Sequence, residues 1–350
     1  MTRTPRAHGR HRTAAALALL CALTATTQAP VALAAPGPRP ATLDDVRRQL
    51  DDLYHQAEVA TGKYNAADEK AKAQQKKITT LKGRVRTAER KETRLTALLG
   101  SAARAQYRGG GLPAAMQFAL ASDPEHALDN AALARQAQQG TERKLAALRT
   151  AQTELRTRTD EAATELADLK ASRRTMSENR DRIKARITTA RTLESQLQDT
   201  QLRRLSELEQ QDEAEAQAKW VGTGILDEVG TRASAAGREA IEYATEQLGK
   251  PYVWGAEGPD SFDCSGLTSQ AYLHAGIAIP RTSEEQWARL KHVPISRMRP
   301  GDLIIYFSDA SHVAIYIGQG QIIQAPRPGR WVYVSPAGSM EILGVVRPDA

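Results

Sequence analysis

The sequence predicts an α+β domain, helices packed on an antiparallel sheet, preceded by a long antiparallel α-helical coiled-coil hairpin. Three observations carry this. Apolar residues recur by threes and fours from Leu43 to beyond position 200. After about position 238, helical patterning gives way to consecutive short β-type runs. Aromatic residues are scarce before position 240, where Tyr54, Tyr64, Tyr107, Phe118 and Trp220 are the full set. The thick core therefore belongs to the C-terminal third.

Residues 1–34 read as an export signal. Arg3, Arg6, Arg10 and Arg12 form a basic start, Thr13–Ala25 an apolar run too short to span a bilayer, and Ala32-Leu33-Ala34 a small-residue cleavage site. The chain is thus expected to be secreted. Removing this segment lowers the formal net charge from +7 to +3. A mild excess of base spread along helices reads as a solvated surface and gives no sign of nucleic-acid recognition. Cys21 leaves with the signal, so Cys264 is the one thiol expected in the mature chain, which excludes an internal disulfide.

Residues 35–42 are a Pro-rich leader, and 43–218 the hairpin. Its first seam runs Leu43, Val46, Leu50, Leu53, Ala57, Ala60, Tyr64, Ala67, Ala71, Gln74, Ile78, Leu81 and on to Ala102. Some 60 residues at helical rise make a rod of roughly 90 Å. Arg108-Gly109-Gly110-Gly111-Leu112-Pro113 breaks it. Met116, Phe118 and Leu120 follow, and Ser122-Asp123-Pro124 reads as a helix start with proline in its first turn. A second heptad series runs from there to about Ala218, so the tip lies near 107–128. The arm's pattern is compatible with spacing or self-association, and with docking or regulation through an apolar tip.

Gly222, Gly224, Gly230 and Gly237 mark 219–237 as a linker, and 238–350 form the last domain. An amphipathic helix opens it at 238–248. Leu267, Ala271, Tyr272 and Ala275 then fall on one helical face before Gly276. Strands are expected at Leu303–Phe307, Val313–Ile317, Ile322–Ala325, Trp331–Val334 and Ile342–Val346.

Cys264 sits at the first turn of the Leu267 helix, where free backbone N–H groups and the dipole favour a thiolate. A thiolate nucleophile needs a base and a group to orient that base. His312 opens a strand and is held rigidly, whereas His55 and His126 belong to the arm and His274 and His292 lie away from the helix start. A cysteine at a helix start against a histidine on a strand is the papain-type arrangement. Gln324, on the next strand, has an oxygen able to fix the imidazole tautomer. The same residues read blandly as a buried inert thiol, a strand-end histidine and a passive sheet glutamine. No zinc-ligand cluster, phosphate loop or redox pair is visible, so no metal or cofactor is expected.

The motifs Pro251-Tyr252-Val253-Trp254-Gly255, Asp263-Cys264-Ser265-Gly266-Leu267, Pro280-Arg281-Thr282-Ser283, Gly301-Asp302-Leu303 and His312-Val313-Ala314-Ile315-Tyr316-Ile317-Gly318 resemble the NlpC/p60 family of cell-wall cysteine peptidases. The resemblance covers about 235–350 and implies a papain-like peptidase acting on peptidoglycan stem peptides, commonly between D-glutamate and the diamino acid. It implies Cys264 as nucleophile, His312 as base and Gln324 as the third polar residue, where the family more often has histidine. Tyr252, Asp263, Ser265 and Arg281 match substrate-groove positions, with Tyr252 assisting the oxyanion site. The signal, hairpin and terminal peptidase look like secreted actinobacterial endopeptidases. In related wall hydrolases such an arm covers the groove or answers to a membrane or division-machinery partner. Amidase or acyl-transfer chemistry on the same fold, and a non-enzymatic activator or scaffold, are the alternatives.

Overall fold

The computed structural model describes residues 42–108 and 124–350. The expected signal and leader through residue 41, and the tip segment 109–123 with Met116, Phe118 and Leu120, lie outside the described residues.

Two helices dominate the first half, α1 (Leu43–Arg108) and α2 (Pro124–Ser195). At 66 and 72 residues each runs on the order of 100 Å. Lys91 pairs with Glu154, Lys77 with Glu165, Gln74 with Ser172 and Tyr54 with Glu194. Residue numbers rise on one helix as they fall on the other, so the hairpin is antiparallel. Its seam buries Val46, Leu50, Leu53, Ala57, Ala60, Ala67, Ala71, Ile78, Leu81 and Ala88 of α1 against Ala151, Leu169, Ile183, Ile187 and Ala190 of α2. These α1 positions are the heptad series. Many are alanine, which lets the helices approach closely without a thick core.

The second rod does not run unbroken to Ala218. It ends at Ser195, and α3 (Asp199–Val221) starts after a short break. At its start the Gln201 side chain reaches back, its Oε1 accepting from Gln198 N at 2.9 Å. The reversal has no Gly or Pro, so the periodicity gave little sign of it. Helix α3 leaves the hairpin for the C-terminal domain: Glu209 pairs with Arg327 and Arg330, and Gln217 bonds Gly320 O and Gly338 N.

After a four-residue turn of helix, α4 (Ile225–Glu228), the domain builds from α5 (Ala235–Glu246), α6 (Cys264–His274) and α7 (Ser283–Arg289). Its strands are β1 (Lys291–Val293), β2 (Leu303–Tyr306), β3 (His312–Gly318), β4 (Gln321–Gln324), β5 (Tyr333–Pro336) and β6 (Ile342–Arg347). They form one antiparallel sheet in the order β1-β6-β2-β3-β4-β5. The edge strand β1 has only Lys291-His292-Val293 and no alternation, so its pairing with β6 is visible only in the fold. The Trp331 run is displaced to Tyr333–Pro336, in register with β4.

All four residues of β2 are buried because both sheet faces are covered. One face packs Leu303, Ile305, Val313, Ile315 and Ile323 against Ala240 and Ala244 of α5 and Leu267, Ala271 and Tyr272 of α6. The other packs Ile304, Tyr306, Ala314, Tyr316 and Val345 with Met298, Trp220 and Val229. The stretch expected to be a bare linker thus helps close the second face.

Candidate active site

Helix α6 begins at Cys264 because Asp263 caps it: the Asp263 carboxylate accepts from Gly266 N at 2.6 Å. Gly266 is required by close approach, since a Cβ there would stand 2.2 Å from Ala256 O. That contact seats the Tyr252–Asp263 loop on the helix, joined also by Asp263 N to Ala256 O at 3.0 Å. We predict that Gly266→Ala lowers stability by about 1–3 kcal/mol and displaces Cys264. Thermal melting and the alkylation rate of Cys264 check this.

His312 begins β3, opposite Tyr306 on β2. Its Nε2 lies 2.7 Å from Gln324 Oε1 on β4. The Gln324 amide nitrogen donates to Ser335 Oγ at 2.7 Å, which turns its oxygen toward the imidazole. Nε2 therefore carries a proton, and Nδ1 is the nitrogen left to exchange one. Cys264, His312 and Gln324, singled out from the sequence, are brought together on the start of α6 and two adjacent strands.

A fourth residue enters from the arm. Glu58 of α1 places Oε1 2.5 Å from His312 Nδ1, and the ligating atoms of Glu58, Cys264 and His312 all lie within 4.8 Å of one another. Two helical turns on, Asn65 Nδ2 donates to Asp263 Oδ2 at 2.9 Å. Around them His55 meets Asp309 at 3.2 Å, Tyr64 packs edge-on against Trp254, and Arg327 covers the Tyr54 ring at 4.3 Å. The arm lies across the site, and Cys264 is only 5% exposed.

This contact reshapes the electrostatics. The cysteine does stand at a helix start, but the thiolate expected there is opposed. Burial, and next the Glu58 carboxylate, push the Cys264 thiol well above its ordinary range. For His312, burial disfavours the imidazolium, yet the Glu58 charge and hydrogen bond outweigh it and the pKa rises. With the arm docked, the imidazolium is paired to Glu58 instead of to a thiolate.

The residues matched to groove positions in the sequence, Tyr252, Asp263, Ser265 and Arg281, are all buried. Arg281 grips Asp263 through both guanidinium nitrogens at 3.0 and 2.7 Å, and reaches Ser265 Oγ at 2.9 Å and Glu257 at 3.0 Å. Asp263 also accepts from Gly255 N at 2.9 Å, so Asn65 takes what remains of its accepting capacity. Tyr252 is buried in the same core cluster as Cys264, and burial first of all raises its pKa well above the phenol's usual value. Of the other histidines, His274 lies beside Tyr243 and His292 stacks on Trp287, both apart from the site.

Sequence reasoning placed Glu58 and Asn65 among the charged and polar residues between seam positions, on a face taken as solvated. The one available signal was their spacing, which with Thr61 puts them on a single stripe beside the seam. Thr61 and Asn65 are buried.

Residues 249–340 match the NlpC/P60 family. Over 93 residues the chain is 46% identical to a probable endopeptidase of Corynebacterium glutamicum, covering 27% of this chain and 44% of that protein. Over 91 residues it is 47% identical to the probable endopeptidase p60 of Listeria monocytogenes, covering 25% of this chain and 19% of that one. The hypothetical invasion protein of Mycobacterium tuberculosis, a solved structure, aligns with 36% identity and a TM-score of 0.30 over 33% of this chain and 66% of that one. The chain spans less than half the length of these curated relatives. The family match encloses Cys264, His312 and Gln324, while Glu58 and Asn65 lie outside it.

Proposed function

We propose, on the premise of an NlpC/P60-family domain at 249–340, that this protein is an exported cysteine endopeptidase of peptidoglycan stem peptides, cutting the D-γ-glutamyl to diamino-acid bond and held latent by its helical arm. The observation that carries the reading is Cys264 at the start of α6 with a His312 ring nitrogen within 4.8 Å of its sulfur, the ring held at Nε2 by Gln324.

Once the arm lifts, the His312 imidazole takes the Cys264 proton and the thiolate attacks the scissile carbonyl. The backbone N–H of Cys264, assisted by the Tyr252 hydroxyl, stabilises the oxyanion. His312 then protonates the leaving amine, and water attacks the acyl-enzyme with His312 again as base. Gln324 orients the ring but carries no charge, so the imidazolium depends on the thiolate for its counter-ion. Asp263 and Ser265, held in place by Arg281, form the polar wall that meets the free amine of the stem peptide. Wall localisation follows from the export signal and the substrate. The apolar hairpin tip is the surface proposed for a membrane-side regulator or for self-association.

Cys264→Ala should abolish release of stem-peptide fragments from purified wall, a loss of at least about 10³-fold, with an unchanged circular dichroism spectrum. Full residual activity in that variant would refute the assignment. Mass spectrometry of the fragments identifies the bond, since cleavage at the sugar–peptide amide would mean an amidase.

A further inference from the structure

The arm does more than cover the cysteine. It completes a donor set of thiol sulfur, imidazole nitrogen and carboxylate oxygen from Cys264, His312 and Glu58. We propose that the arm-docked protein binds one zinc-class divalent cation at these three side chains, and that the ion locks the latent state.

Three features support the site. The first is donor chemistry: one sulfur, one imidazole nitrogen and one carboxylate oxygen suit zinc, with the fourth tetrahedral position left to water, whereas magnesium and calcium prefer oxygen alone. The second is the tautomer. Gln324 Oε1 receives the Nε2 proton at 2.7 Å, which makes Nδ1 the ligating nitrogen once the proton it shares with Glu58 is displaced, and supplies the outer hydrogen bond that zinc-bound histidines commonly have. The third is charge. Nδ1 and the Glu58 oxygen, 2.5 Å apart, repel as two bare lone pairs unless a proton or a metal stands with them, and the thiol sulfur adds a third donor. Arg281, the guanidinium of this network, is already engaged by Asp263, Ser265 and Glu257.

Binding is balanced in charge and protons. A divalent cation with one thiolate, one carboxylate and one neutral imidazole makes a neutral centre, which a buried site tolerates. The Cys264 thiol gives up its proton, as does the Glu58–His312 pair, and both pass to solvent. Donor atoms around tetrahedral zinc lie roughly 3.3–3.7 Å apart. Glu58 Oε1 and His312 Nδ1 are 2.5 Å apart and all three donors lie within 4.8 Å of one another, so binding requires the carboxylate to draw back from the ring as the sulfur closes in. The ion would occupy both the nucleophile's and the base's lone pairs and tie α1 to α6 and β3. By mass action it deepens the closed state, and its removal frees all three groups. Neither half alone carries the three donors, so the site exists only while the arm is docked.

The inference shares its residues with the proposed reaction but does not need hydrolysis to be true. Titrating the metal-free full-length chain with cobalt(II) should give one equivalent bound, a near-ultraviolet thiolate-to-metal band, proton release, and displacement by zinc. Cys264→Ser should lose the band. Glu58→Gln should weaken binding by at least about tenfold, with Glu58→Asp, too short to reach, doing the same. Glu165→Gln, far along the hairpin, should change nothing. Absence of the band in the unmodified chain, or undiminished affinity in both folded Glu58 variants, would overturn the proposal. Fragment release from wall in metal-free buffer reads the peptidase assignment separately.

Discussion

The double substitution Glu58→Ala/Asn65→Ala raises both the alkylation rate of Cys264 and the rate of wall hydrolysis, by on the order of a hundredfold. Each side chain makes one contact to the site, Glu58 to His312 at 2.5 Å and Asn65 to Asp263 at 2.9 Å. A hydrogen bond involving a charged partner contributes about 1.5–3 kcal/mol. Two would shift the docked-to-open balance by at most roughly 10²–10⁴-fold. The lower end is expected, because Glu209 with Arg327 and Arg330, and His55 with Asp309, still hold the arm. Mass spectrometry after iodoacetamide treatment reads exposure directly. An alkylation rate equal to that of the unsubstituted chain would remove the arm from the account of latency.

Proton linkage gives this prediction a second signature. Glu58 holds the His312 pKa above its ordinary value in the docked state, against the opposing effect of burial. The Glu58–imidazolium contact is therefore complete below the ordinary histidine range. It is lost as pH rises through the docked-state value. Asp263 also faces the imidazole and acts in the same direction. Burial raises the pKa of nearby Glu284, so it is less charged there than an exposed glutamate. Alkylation of Cys264 should accumulate with rising pH more steeply than thiol ionisation alone requires, and Glu58→Ala should remove the excess.

Arg281→Met should destabilise the C-terminal domain by about 3–5 kcal/mol. Arg281 and Asp263 are 7% and 0% exposed as side chains, so deleting the guanidinium strands a buried carboxylate. Gly255 N, Gly266 N and Asn65 Nδ2 still donate to it, which keeps the loss toward the lower figure. Adding Asp263→Asn removes the stranded charge, so the double variant should recover much of the loss while remaining impaired toward substrate. Urea unfolding of the single and double variants gives the coupling. A single-variant loss below about 1 kcal/mol would mean that the pair behaves as a surface ion pair, and the reading of Asp263 as a charge held in place by Arg281 would fall.

Much of the site could be read from the chain because its parts are locally encoded. Asp263 before Cys264, with Gly266 in the first turn, is a helix start in any context. The apolar runs beginning near His312 and ending at Gln324 are strands by pattern and composition. The inward stripe of α1 was legible for the same reason, and Ala57, Ala60, Ala67, Ala71 and Ala88 are buried where the heptads put them, whereas on α2 the expected seam positions Leu145 and Leu166 are exposed and Ala151 is buried instead. Other features lacked a local signal. Lys291-His292-Val293 is too short to show a period. The Ser195–Asp199 reversal has no breaker residue, and only the Gln198–Gln201 cap marks it. Glu58 and Asn65 look like solvated helix residues because nothing near them in sequence is their partner.

By itself the sequence determined the two long helices and the α1 side of their seam, the sheet-forming runs, and the placing of a thiol and an imidazole on elements that can present them. Only the tertiary structure decided which stripe of the arm meets the domain, that a carboxylate stands against the base and close to the nucleophile, and so which proton arrangement the resting site holds. The reason is physical. Periodicity records which side of an element is apolar, through contacts repeated every few residues. Docking across two hundred residues rests on a handful of single polar contacts, which leave no period to read.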